Sequence, residues 1–305
     1  MDEIDPQLLR VLRAVRDAGS ISRAAVALGY SQPAVSQLLA RAERRLGHDL
    51  VLRGARGVTL TEPGRVLAEH APAVEAALAA AREDLDAVGG LARGRVRIAG
   101  FPSASSTLVP AVLATMAHEA PGVVTSYVEA EPPEAVELLR RGEVDVALTF
   151  SHALQDADPG VDPTLLVRVL GQDPLALVTP ATTDTVTAVG PADLAEHREA
   201  RWIGGCPRCR GHLLASCAAS GFTPDIVLET DNAAAVVGLV AAGLGVALLP
   251  RLALRTTVVP AGVTVTPAGE ELARRVEVVV ARGADRVPSV RAALGAVRSA
   301  AHLLG

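Results

Sequence analysis

The stretch SQPAVSQLLARAERRL, residues 31–46, decides how the rest of the chain is read. Ser31 is placed to cap the amino end of a helix, and Pro33 falls in its first turn, where a missing N–H costs little. Val35, Leu38, Leu39, Ala42 and Leu46 follow the three-and-four spacing of one apolar stripe. Ala34, Gln37, Arg41 and Arg44 fall on the opposite side, with Ser36 near the edge. Small and amide side chains followed by arginines suit a helix whose start meets base edges and whose later turns meet phosphates. Taken alone, the pattern describes an ordinary surface helix equally well. The flanking sequence separates the two.

Upstream, residues 4–18 carry Leu8, Leu9, Leu12 and Val15 at helical spacing, with Gly19 as the stop. Ser22 is expected to cap a short alanine-rich helix that ends at Gly29, two residues before Ser31. Short helix, glycine turn and second helix make a helix-turn-helix. Downstream, LVLRGARGVTL, residues 50–60, reads as a β-hairpin wing turned at Gly54 and Gly57. Its Arg53 and Arg56 are placed to meet the DNA backbone or minor groove, or else are simply solvated. Thr61 then caps a long helix over residues 62–89. In it Leu67, Ala71, Val74, Leu78, Ala81, Leu85 and Val88 form a heptad seam of about three heptads, roughly 40 Å long. A seam this thin suits pairing with a second helix, and packing on its own domain is the alternative. Gly89, Gly90 and Gly94 mark a hinge.

The segment GSISRAAVALGYSQPAVSQLLARAERRLGHDLVLRGARGVTLTEPG, residues 19–64, resembles the amino-terminal domain of LysR-type transcriptional regulators, most tellingly in Tyr30-Ser31-Gln32-Pro33-Ala34-Val35-Ser36. Val51 departs from the family, which usually places an aromatic residue beside the wing. The resemblance implies DNA contacts from Ser22, Arg23, Ser31, Gln32, Pro33, Ala34, Ser36, Gln37, Arg41, Arg53 and Arg56. It also implies a linker helix that forms dimers. The expected partners are double-stranded DNA carrying an imperfect inverted repeat, a second copy (homodimer or homotetramer) and a small-molecule effector, with RNA polymerase a further candidate.

From Arg95 onward, strands alternate with helices, as α/β units around a mainly parallel sheet would. Strands are expected at 96–100, 123–130, 144–150, 174–179, 201–204, 225–229, 246–249 and 275–281, and helices at 103–119, 133–141, 208–220, 232–242 and 287–303. This body resembles the effector domain of the same family, two Rossmann-like lobes similar to periplasmic binding proteins, most clearly in AGLGVALLP, residues 242–250. The expected fold is therefore α/β. It comprises a winged helix-turn-helix (1–61), a linker helix (62–91) and a two-lobed effector domain (92–305). Lobe I spans about 92–168 plus 271–305, and lobe II about 169–270.

Open α/β sheets bind ligands beyond the carboxyl ends of their strands. That rule selects Phe101, Pro102, Ser103 and Ser105, then Thr149, Phe150 and Ser151, then Gly205, Cys206, Pro207 and Arg208, with Glu131 added after the second strand. Helix starts attract anions and Arg208 suits a carboxylate, so an organic anion is the expected effector. Helix capping is the plain alternative for each residue. Cys206, Cys209, His212 and Cys217 have spacings that admit a metal site, a redox-active thiol or a structural role. Three of them lie along one expected helix, which does not favour a tetrahedron, so no metal and no cofactor are assigned.

The chain has 29 basic residues, all arginine, and a net charge of −5. Residues 1–65 hold 10 Arg against 7 acids, a mildly basic head on an acidic body, as expected if the head alone meets nucleic acid. The 17-residue uncharged run at 233–249 is broken by Gly238, Gly243 and Gly245 and reads as buried helix, turn and strand rather than a membrane span. With no signal-like opening, a cytoplasmic protein is expected. No nucleophile elbow, HExxH or phosphate loop appears, so no enzyme is expected. An enzyme built on the two-lobed domain with chemistry at Cys206 or Cys209 would leave the first 65 residues unexplained.

Overall fold

The computed structural model describes residues 4–54, 57–88, 94–152, 162–181 and 190–304, excepting the side chains of residues 87 and 88. Three helices open the chain: α1 (Pro6–Ala18), α2 (Ile21–Leu28) and α3 (Gln32–Leu46). Asp5, Ser20 and Ser31 cap them by accepting from the backbone N–H of Gln7, Arg23 and Ala34. The α2 cap is thus Ser20, not the expected Ser22: its Oγ reaches the free N–H three residues on, while Ser22 already lies inside the helix. Gly29, at φ 70° and ψ 27°, makes the left-handed turn between α2 and α3. Leu8, Val11, Leu12, Val15, Ile21, Ala24, Val35, Leu39 and Ala42 interlock in one core.

The wing is an antiparallel pair, β1 (Val51–Gly54) and β2 (Gly57–Leu60), with Val51 opposite Leu60. Val51, where the family pattern has an aromatic, is buried in the same core as α1 and α3. Gly57 sits at φ +126°, and a Cβ there would come 2.8 Å from the carbonyl oxygen of Gly19. The neighbouring Val58 N–H donates to that same carbonyl, so the wing is pinned to the end of α1.

Helix α4 (Glu62–Val88) follows; Thr61 Oγ1 accepts from Gly64 N–H at its start, and the helix continues through Pro72. Its seam is divided. Ala68 is buried in the helix-turn-helix core with Leu67 packed on it, and Ala71 is buried. Val74 is half-buried, whereas Leu78, Ala81 and Leu85 face solvent, Leu78 54% and Leu85 71% exposed. The Val88 side chain and the glycines at 89 and 90 lie outside the described residues. On its other side Ala76 and Ala80 pack on the first lobe.

Lobe I is a sheet in the order β4-β3-β5-β12-β6, and lobe II is built from β10-β7-β11 and the pair β8-β9. The strands and helices run β3 (Gly94–Gly100), α5 (Pro102–Ser105), α6 (Leu108–Glu119), β4 (Val123–Glu129), α7 (Pro132–Arg140), β5 (Val146–His152), β6 (Leu165–Asp173), β7 (Leu175–Pro180), β8 (Arg201–Gly204), α8 (Pro207–Ala219), β9 (Asp225–Glu229), α9 (Ala233–Ala241), β10 (Ala247–Pro250), α10 (Arg251–Leu254), β11 (Val263–Pro267), β12 (Arg274–Ala281) and α11 (Pro288–Ala300). Alternation along the strands splits the core. Val96, Ile98, Val146, Leu148, Val276 and Val278 face α6 and α11. Ala99, Ala147 and Val279 face α7.

Two expectations are corrected. The helix expected over 103–119 is two, because the Ser106 and Thr107 hydroxyls turn back to the Ser103 carbonyl and offer the backbone a competing hydrogen bond. The sheets are mixed rather than mainly parallel. Among the described residues, β3 with β4 and β5, and β8 with β9, pair in parallel, as does the single bridge between Trp202 and Val246, while β6, β7, β10, β11 and β12 pair antiparallel. The reason is the double crossing between lobes. The chain leaves lobe I along β6 and enters lobe II in β7 after Pro174, then returns through β12, which lies between β5 and β6. Strands β6 and β11 were not anticipated.

Gly57→Ala is expected to destabilise the amino-terminal domain by about 1–3 kcal/mol, through the positive φ and the clash with Gly19. Thermal unfolding against the parent protein measures it, and an unchanged melting temperature would contradict this role.

Candidate functional site

Between the lobes lies a cavity of about 430 Å³. Lobe I supplies Phe101, Pro102, Ser103, Glu129, Glu131 and Phe150, and lobe II supplies Gly204, Gly205, Cys206, Cys209, Asp231 and Leu248. Of the expected ligand residues, Phe101, Pro102, Ser103, Glu131, Phe150, Gly205 and Cys206 line it together, and Ser105, Thr149, Ser151, Pro207 and Arg208 are off its wall. Ser105 instead bonds Tyr127 Oη, which donates to the Gly100 carbonyl, and Ser151 donates to Glu277. Arg208 donates to the Phe150 carbonyl at 3.3 Å, tying the start of α8 to β5.

The floor of the cavity is a buried ion pair. Arg274 Nε and Nη2 donate to Asp173 Oδ2 at 2.9 and 2.7 Å, and Nη2 also reaches Ser103 Oγ. Its Cζ lies 4.8 Å from the Phe101 ring centre and 4.5 Å from that of Phe150, two rings that meet edge to face at 5.0 Å. Asp173 Oδ1 accepts from Leu252 N–H, which brings α10 into the same network. A row of rings continues across the lobes: Phe150 to His152 at 5.4 Å, then His152 stacked on His212 of α8 at 3.9 Å. Burial first, then the charges of His212, Arg274 and Arg208, hold His152 down at about 3, so it is neutral at ordinary pH. Neither Arg274 nor Asp173 was singled out in the sequence. The one available signal was the pair Arg274-Arg275 at the head of a strand that is otherwise mostly valine.

The cavity wall is rich in acids. Glu131, at the start of α7, is pushed up to about 8, by burial first, then by Cys206 and Asp231. Cys206 Sγ lies 3.6 Å from Glu131 Oε2 across the cleft. Arg274 is the cation on this wall, and it is committed to Asp173. Among the described residues, the wall therefore offers a bare carboxylate no uncommitted guanidinium, and the start of α9 (Ala233, Ala234) also lines it.

At the other end, the expected DNA-facing residues Ser22, Arg23, Ser31, Gln32, Pro33, Ala34, Gln37, Arg41 and Arg53 are exposed and Ser36 half-exposed, with Gln32 Nε2 donating to Ser36 Oγ. Arg56 lies outside the described residues. Tyr30, 41% exposed in the helix-turn-helix turn, was not selected for contact from the sequence. Among the described residues, no group of His, Cys, Asp and Glu could hold a metal ion, and no helix is long and apolar enough to cross a membrane.

Residues 6–65 match the family model of the bacterial regulatory helix-turn-helix protein, lysR family, and residues 89–302 match the LysR substrate binding domain. The chain belongs to the LysR family. It is 31% identical to the HTH-type transcriptional regulator ShiR of Corynebacterium glutamicum, over 77% of this chain and 79% of ShiR. It is 27% identical to GltR of Bacillus subtilis, over 80% of this chain and 79% of GltR. Among solved structures, a full-length OxyR variant from Pseudomonas aeruginosa superposes with a TM-score of 0.69 at 20% identity, covering 97% of this chain and 98% of that one, a likeness of fold. This LysR-family chain is a DNA-binding transcriptional regulator with an effector-binding domain.

The raised Glu131 value fixes the sign of a pH effect. The fold favours the neutral acid, so the stabilisation is full below its ordinary 4.5 and is lost as pH rises through about 8. Glu131→Gln is expected to flatten the fall in melting temperature across that window, and parallel wild-type and variant curves would refute the assignment.

Proposed function

We propose that the protein reads an imperfect inverted repeat in double-stranded DNA as a dimer or dimer of dimers in the cytoplasm, and that a small molecule between the lobes controls the reading. One observation carries it. Helix α3 buries Val35, Leu39 and Ala42 while presenting Ala34, Gln37 and Arg41 outward, beside a wing held in place at Gly57. Ala34 and Gln37 are the base-edge contacts in this reading, with Ser22, Arg23, Ser31, Gln32, Pro33 and Ser36 around them. Arg41 and the wing Arg53 neutralise phosphates. Residues 1–61 form the DNA-binding unit, 62–91 the linker and 92–305 the effector domain.

The exposed Leu78, Ala81 and Leu85 of α4 meet the same helix of a second copy, since the first half of the seam is already taken by the chain's own amino-terminal domain. Phe101, Pro102, Ser103, Glu131, Phe150, Gly205 and Cys206 contact the effector. The acids on the wall favour one that donates hydrogen bonds while laying an apolar part against Phe101 and Leu248.

Arg41→Ala and Arg53→Ala are each expected to weaken operator binding and to reduce the slope of log K against log salt by about one. Fluorescence anisotropy over a salt series tests this, and an unchanged slope would remove both from the phosphate contacts. Leu78→Glu with Leu85→Glu is expected to yield monomers in sedimentation velocity at micromolar concentration; a persistent dimer would place the interface elsewhere.

A further inference from the structure

We propose that Cys206 and Cys209 are a redox-active dithiol in the interlobe cleft, oxidised to an intramolecular disulfide by a small organic disulfide, and that oxidation cuts the Cys206–Glu131 contact joining the lobes. The inference goes beyond control by a reversibly bound effector, and rests on that reading only for the cleft being open to small molecules.

Four observations support it. Cys206 is the residue before α8 and Cys209 lies in its first turn, so one helical turn separates them. Residues so spaced fall within the Cα separation of about 4.4–6.8 Å that a disulfide requires. Both side chains line the 430 Å³ cavity beside the apolar Phe101, Leu248 and Leu249, which leaves room for a disulfide carrying two substituents. Cys209 also lines a second, small cavity with Arg274, His152 and His212. The hydrogen bond from the Cys206 thiol, then the Arg274 charge, lower the Cys209 thiol, while Cys206 is itself raised. Cys209 is therefore the attacking thiolate and Cys206 the resolving thiol. The third cysteine, Cys217, is fully buried in the lobe II core and raised by burial to about 11, so it is inert.

The step balances as thiol–disulfide exchange. The Cys209 thiolate attacks one sulfur of RSSR; a Cys209–S–SR bond forms, the S–S bond breaks and RS⁻ leaves. Cys206 gives its proton to that RS⁻ and attacks the Cys209 sulfur. The Cys206–Cys209 bond forms and the second RS⁻ departs, protonated by water that had received the Cys209 proton. Two protein thiols lose two electrons and RSSR becomes two RSH. The Cys206 S–H that faces Glu131 at 3.6 Å no longer exists in the product, and a lobe-to-lobe contact beside the Arg208–Phe150 hydrogen bond is lost.

The test treats the full-length reduced protein with bis(2-hydroxyethyl) disulfide and, in parallel, with hydrogen peroxide. The expected result with the disulfide is a mass loss of ~2 Da, with two of the three cysteines unreactive to thiol reagent once the protein is denatured. Because Arg208 lies between the cysteines, trypsin should release WIGGCPR still joined to CR until a reductant separates them. Cys217→Ser should behave as the wild type, and Cys206→Ser, Cys209→Ser and Cys209→Ala should form no such link; thermal melts confirm that each variant is folded. Amide hydrogen exchange at Glu131 and at Ala135, whose N–H donates to the Glu131 carbonyl, should rise on oxidation in the wild type. A pair that stays reduced, a link through Cys217, oxidation by peroxide alone, or unchanged exchange at Glu131 would each overturn the proposal. Operator binding by the reduced protein is measured separately, so a protein that binds DNA but forms no disulfide refutes this inference and leaves the regulator intact.

Discussion

The two-lobed body depends on the ion pair between Asp173 and Arg274. Asp173 ends β6, where the first crossing between the lobes starts, Arg274 begins β12, where the second one finishes, and both side chains are almost fully buried. Burying two charges is costly, and only close geometry with every donor occupied offsets that cost. Here two guanidinium donors meet Asp173, Ser103 takes a further bond, and two phenylalanine rings cover the faces. The carboxylate's other oxygen takes the Leu252 N–H. One pair thereby fixes the hinge, the floor of the cleft and the position of α10. Removing either partner would leave the other buried and unpaired, a loss of about 3–5 kcal/mol.

The same cross-tying logic links the cleft to the DNA-binding head. Glu83 of α4 accepts from the Ser289 N–H and hydroxyl at the start of α11, where the helix amino end favours a carboxylate. Nearer the head, Glu75 pairs with Arg10 and Arg13 of α1. Arg13 in turn lies against Gly142 of lobe I, where a Cβ would fall 2.9 Å from its Nη1. Helix α4 is thus held at both ends, by the reading head and by the lobe that forms one wall of the cleft. Lobe I touches α1 directly at Arg13 and through α4 by way of Glu75 and Glu83.

The helix-turn-helix was legible because its signals are local. A capping serine, a proline in the first turn, a glycine in the left-handed turn and a three-and-four apolar stripe each act within a few residues. The misplaced cap, Ser22 for Ser20, shows the limit: two serines two residues apart both satisfy the pattern, and the φ and ψ of Ser20 decide between them. The cleft was half legible. Strand ends pointed to Phe101, Phe150 and Cys206, which line the cavity, and also to Arg208, which lies off the cavity wall and donates to the Phe150 carbonyl.

The sequence by itself determined the reading head, the long amphipathic helix, the alternation of strands and helices behind it, and the neighbourhoods where a ligand could sit. Only the tertiary structure decided which residues share the cleft and what charge it carries. Asp173 and Arg274 lie 101 positions apart, Glu131 and Cys206 lie 75 apart, and His152 stacks on a residue of the other lobe. Capping and periodicity act over one or two turns and leave a trace in neighbouring residues. Pairings set by two crossings between lobes have no such trace, because the atoms that satisfy one another become neighbours only once both sheets have formed.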